Sequence, residues 1–116
     1  MSLRSLLGLV QDDPAGASLA REGGRAFVSA SLRPYLIAGL AEAGVAGGEG
    51  LRPTLVVVGD DRAARDLAGD LRAWLAPRRV RYYPSRGVTY ESHLTPPAHL
   101  IGLRVAALDA LLEGGA

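Results

Sequence analysis

The chain has no cysteine and no lysine. Without thiols, disulfides and thiolate zinc sites are excluded. All 13 basic residues are arginine, so Schiff-base chemistry, a lysine general base and the lysine of a phosphate loop are excluded too. Aromatic residues make up only 5% of the chain, which leaves the core to Leu, Val and Ala. The histidines are His93 and His99, six apart, and such a pair makes no metal site on its own. A net charge of +1 predicts no strong field toward nucleic acid or an anionic membrane. No apolar run approaches the ~20 residues of a membrane span. The stretch 3–10 is broken by Arg4 and Gly8, is followed by Asp12-Asp13, and lacks the features of a signal peptide. The expectation is a soluble cytoplasmic chain with no membrane partner.

What is present fits one domain: 116 residues, 48% of them hydrophobic, enough for a single core without staples. Residues 2–10 have apolar positions at helical spacing, and a second short helix is expected from Pro14, ended by Gly23-Gly24. These form an N-terminal helical segment, 1–24. "RAFVSAS" (25–31) reads as a buried strand and "LRPYLIAGLAEAG" as a helix that starts near Arg33-Pro34 and stops at Gly44. A Gly-rich loop covers 45–52. "PTLVVVGDD" (53–61) has the continuous apolar run of a central parallel strand. The helix after it is capped by Asp60 or Asp61 and carries an apolar stripe of Ala64, Leu67, Leu71, Trp74 and Leu75. Trp74 is therefore expected to be largely buried against a sheet. "RRVRYYPS" (78–85) gives a third strand, 86–97 an irregular connection, and 98–112 a last helix. Strands alternating with helices predict βαβ units and a small parallel sheet with open edges.

Four stretches invite a chemical reading. The turn at 29–36 stands where a nucleotide-binding α/β protein places its phosphate loop. It has no glycine to let backbone N–H groups wrap a phosphate and no lysine, and Pro34 removes a donor. "GDD" at 59–61 ends the best strand, where α/β sheets bind ligands. The bland reading, a helix cap with favourable charge at the N-terminus, outweighs a metal site that lacks further ligands. Ser92, Glu91 and His99 have the residue types of a hydrolase triad but no nucleophile elbow. "RRVRYYPSR" (78–86) interleaves Arg and Tyr as a nucleic-acid patch does. Strand alternation offers the simpler account, burying Val80 and Tyr82 and leaving Arg79, Arg81 and Tyr83 on the other face.

"LVVVGDDRAARDLAGDLRAWL" followed by "VRYYPSRGVTYESHLTPPAHLIGLRVAALDALL" resembles the N-terminal module of the bacterial transcription-repair coupling factors. The matching places are Ala64, Leu67, Asp70, Leu71, Trp74 and Leu75 in the helix, then Tyr83-Pro84, Tyr90-Glu91 and Thr95-Pro96. Arg104, Ala107 and Leu108 complete the pattern, and "FVSASLRPYLIAGLAEAG" fits the module's first strand and helix. The resemblance covers roughly residues 25–112. It departs from the family at Val88-Thr89, where Leu-Pro is usual. It implies a module that looks like the first domain of the excision-repair helicase UvrB, with the ATP-binding motif lost. It also implies that ATP hydrolysis belongs to later motor domains, and that the damage sensor UvrA is recruited by the domain that follows.

Together these expectations are an α/β fold over 25–116, a degenerate P-loop (RecA-like) partial sheet with flanking helices. The function expected is a non-catalytic structural and protein-interaction module of a transcription-coupled repair factor. No catalytic, cofactor or metal site is expected. The partners expected are neighbouring domains of the same factor, with UvrA met only indirectly. The interaction surface is expected at Arg79, Arg81, Tyr82, Tyr83 and Arg86 beside the last helix, since Arg and Tyr are favoured interface anchors. The alternative is a small nucleic-acid-binding α/β domain that uses 78–86; the low net charge predicts weak nucleic-acid binding or none.

Overall fold

The computed structural model describes residues 3–46, 53–87 and 94–113. A 3-10 helical turn, Leu3–Leu7, runs into helix α1 (Gly8–Asp12). Asp13 ends that helix and starts the next. Its N–H donates to the Leu9 carbonyl at 3.2 Å, while its carboxylate accepts from the Gly16 N–H at 3.0 Å. Pro14 opens α2 (Pro14–Glu22), where a missing N–H breaks no helical bond. Gly23 and Gly24, at φ of 75° and 135°, supply the backbone turn that ends it.

Helix α3 (Arg33–Ala46) is entered through a 3-10 turn, Ala30–Leu32, in which the Leu32 N–H donates to the Ser29 carbonyl at 3.0 Å. It runs past Gly44, the expected stop: an interior glycine costs only about 1 kcal/mol, and packing outweighs that. Helix α4 (Asp61–Leu75) begins at Asp60, whose carboxylate accepts the Ala63 N–H at 2.8 Å. Pro77 follows its last turn. Helix α5 (Ala98–Leu112) starts at Pro97, whose carbonyl accepts the N–H groups of Leu100 and Ile101.

The core lies where the N-terminal turn, α3 and α4 meet. Leu7, Ala38, Leu71 and Leu75 are buried there, flanked by Tyr35, Ile37, Leu67, Trp74 and Val80. Burial of each leucine contributes roughly 1.5–3 kcal/mol. Val10 seats α1 onto α2 and α3 because Gly16 and Gly39 carry no Cβ; one added at either position would run into Val10. The Tyr35 hydroxyl donates to the Leu6 carbonyl at 2.8 Å, and its ring meets Trp74 edge-on, centroids 5.1 Å apart at 65°. Trp74 is thus half-buried at a helix–helix seam, not covered by a sheet.

The α/β expectation is overturned. Among the described residues there is no strand, and the chain is helical. The segments 25–29, 53–58 and 79–86 have no regular structure. They do not pair, and a strand exists only as a partner in a ladder. "RAFVSAS", expected to be buried, is instead on the surface, with Phe27 fully exposed. Leu55 and Val57 are 84% and 82% exposed where a central strand would be covered. A parallel sheet with flanking helices, and the RecA-like partial domain built on it, is therefore not the architecture. The outline is elongated, 52 × 30 × 30 Å with a radius of gyration of 15.8 Å, against about 13 Å for a compact domain of ~100 residues.

Helices α3 and α5 have the same pattern, apolar around the whole circumference, yet opposite settings. α3 lies between the N-terminal helices on one hand and α4 on the other. α5 contacts no other helix among the described residues, and none of its residues is buried. Ile101, Leu103, Val105, Leu108, Leu111 and Leu112 are all exposed. A helix apolar on every side normally lies inside a protein.

Candidate functional site

What holds α5 is the segment 79–86. The Arg104 guanidinium donates to the Pro84 carbonyl at 3.0 Å and lies over the Tyr83 ring, 4.4 Å from its centre. At the far end of the helix, Arg79 donates to the Glu113 carboxylate in an ion pair. Pro84 itself is fully buried. The segment is in turn fixed to α4 by Ser85. Its N–H donates to Asp61 Oδ1 at 2.9 Å and its hydroxyl to Oδ2 at 2.5 Å. These two bonds, the hydroxyl first, hold the Asp61 carboxyl below its ordinary range; reduced hydration opposes them, and Arg65 and the Tyr82 hydroxyl assist. Below Val80, whose carbonyl accepts from Arg72 Nε at 3.3 Å, Arg78 forms an ion pair with Glu42 of α3 at 3.8 Å.

These contacts frame an apolar cleft of about 410 Å³. Its walls are the segment 53–58, the segment 78–83, the inner face of α4 and the last turns of α5. Ala64, Leu67, Leu71, Val80, Leu108 and Leu111 supply much of the lining, Arg78, Arg79 and Arg81 supply cations, and no carboxylate lines it. Size and lining are those of a ligand or peptide groove.

Of the residues singled out in the sequence, Arg79, Arg81, Tyr82 and Tyr83 come together on this cleft, and Arg86 does not. Exposure alternates along 79–83, with Val80 and Tyr82 half-buried and Arg79, Arg81 and Tyr83 exposed, but all five line the same cleft, so the opposite face expected of a strand is not formed. Two of the groups a nucleic acid would need are already engaged, Arg79 by Glu113 and the Tyr83 ring by Arg104.

At 29–36, the turn backbone is committed to the Ala30–Leu32 turn and the start of α3, and Arg33 is exposed. The acidic pair divides its work, Asp60 capping α4 and Asp61 gripping Ser85. Among the described residues, no three His, Asp or Glu side chains come together as metal ligands. His99 is exposed at the start of α5. Glu91, Ser92 and His93, and with them the triad reading and the Val88-Thr89 departure, lie outside the described residues. So does most of the Gly-rich loop.

Arg104, Ser85 and Asp61 were missed as a connected set. The only signal was composition: the one Arg of a largely apolar helix, and a Ser directly after Tyr-Tyr-Pro. No described helix is long and apolar enough to cross a membrane. Compared with models of protein families, with curated proteins and with solved structures, the chain matches none.

Proposed function

We propose that this chain is a non-catalytic interaction module of a transcription-repair coupling factor, working through its neighbours in the same factor. One observation carries the interaction role: an apolar cleft flanked by a helix whose Ile101, Leu103, Val105 and Leu112 are exposed. Exposed apolar surface on this scale marks a place where another polypeptide sits. The assignment to a coupling factor rests on the motif pattern across residues 25–112. The lack of glycine and lysine in 29–36 supports a role without ATP, and contact with UvrA would be indirect.

In-frame removal of residues 25–112 from the gene that encodes the chain is expected to abolish preferential repair of the transcribed strand. Repair of the other strand should remain. A strand preference left intact by this deletion overturns the reading. Calorimetry of the chain with Mg-ATP is expected to show no binding.

A further inference from the structure

We infer that the cleft takes an extended, acidic polypeptide segment, which adds to the free backbone edge of residues 53–58. The inference rests on the interaction-module reading and specifies the partner's chemistry. Three observations on different groups converge on it.

The first is backbone chemistry. Among the described residues, no N–H or C=O of 53–58 makes a hydrogen bond within the chain. A run whose backbone donors and acceptors have no partner in the chain is a template for another strand. Main-chain pairing then provides affinity, and alternate side-chain pockets provide selectivity.

The second is the setting of the side chains at Val56–Val58. Val56 and Val58 line the cleft, while Val57 between them is 82% exposed. Across from them, Val80 and Tyr82 are half-buried and Arg81 is exposed, all three lining the cleft. The alternation at Val56, Val57 and Val58 is the spacing an extended peptide presents.

The third is charge. Arginines 78, 79 and 81 border the cleft and no carboxylate does. Two of them have an acidic partner in the chain, Glu42 and Glu113, each outside the lining. Arg81, the third, is exposed on the cleft, so an occupant carrying Asp or Glu beside its apolar residues is favoured over a neutral or basic one.

The experiment follows amide hydrogen exchange in the whole chain, with a blocked peptide of about eight residues as probe. The peptide alternates valine with threonine and has glutamate near each end. The glutamate peptide is expected to slow exchange at residues 54–58 by at least about tenfold, with a smaller effect at 80–83. Arg81→Glu is expected to weaken its binding about tenfold and leave the exchange of α4 unchanged. Four results overturn the inference. One is exchange at 54–58 already as slow as in α4 without peptide, which would mean that the segment is paired within the chain. The others are no slowing by the glutamate peptide, equal slowing by a version with lysine in place of glutamate, and equal slowing by dodecanoate alone. The last would make the cleft a small-amphiphile pocket. Failure here leaves the strand-preference result standing, and loss of that result leaves the exchange data to be judged separately.

Discussion

Ser85 grips Asp61 with both of its donors, one to each carboxylate oxygen, across 24 residues of sequence. Asp61 sits in the first turn of α4, so the pair ties that helix to the segment that carries α5. The carboxylate also lies at the end of the helix where negative charge is favourable.

The clamp sets a pH dependence. Because Ser85 depresses the Asp61 pKa below the ordinary 3.8, its contribution is complete above that value. It is lost as the pH falls through the depressed folded-state pKa. Asp61→Asn is expected to melt at a lower temperature than the parent at neutral pH. The gap between the two should narrow as the pH drops below 3.8. Thermal melts by circular dichroism across that range check the sign, and a gap that widens in acid contradicts it.

Arg104 links α5 to Tyr83 and Pro84. Arg104→Ala removes a charged hydrogen bond to the Pro84 carbonyl, worth about 1.5–3 kcal/mol, and a stacking contact worth about 0.5–1 kcal/mol at an exposed site. Proteolysis between Pro84 and Ala98 should accelerate while α4 stays protected. Arg104→Lys should recover only part of the loss, because an ammonium cannot lie flat over Tyr83 and also reach Pro84 with a planar donor.

At the α3–α4 seam, Trp74 is half-buried, so Trp74→Ala should cost about half of the 3–5 kcal/mol typical of a fully buried aromatic. Tyr35→Phe keeps the ring contact and removes only the bond to the Leu6 carbonyl, a loss of about 0.5–1.5 kcal/mol. Urea unfolding that ranks Tyr35→Phe as the more damaging of the two would contradict this account of the seam.

The Val10 contact is a test of close packing. Gly39→Ala forces a methyl group into the Val10 side chain, and overpacking of this kind costs about 1–3 kcal/mol. Val10→Ala made in the same chain should relieve much of that cost, so the double variant should be more stable than the sum of the single changes predicts. Strict additivity would show that the two helices can move apart at little expense.

How much of this was legible depended on whether a signal was local. Asp13-Pro14 and Gly23-Gly24 mark both ends of α2, and Asp60 and Pro77 bracket α4, because caps and breakers act within a turn of where they stand. The run "LVVV" and the alternation of 79–83 were equally clear, and the alternation describes the order of exposure but not the faces, since 79–83 all line one cleft. Neither says whether another strand lies alongside, which depends on residues far away in sequence, and here the two segments border a cleft instead of pairing. The same limit hid the candidate site. Arg79, Arg81, Tyr82 and Tyr83 stood out by composition, but their neighbours from 53–58 and α5 arrive only with the fold. The Asp61–Ser85 and Arg104–Pro84 links could not be paired from the sequence, since their partners stand 24 and 20 residues apart.

The exposed apolar side of α5 has a thermal consequence. A contact that buries Ile101, Leu103, Val105 and Leu112 draws on the release of ordered water around hydrocarbon, and that driving force weakens on cooling. Whatever closes over this helix is therefore held most loosely in the cold. Chilling would separate it from its cover while α4, anchored by its cap and its core leucines, keeps its place.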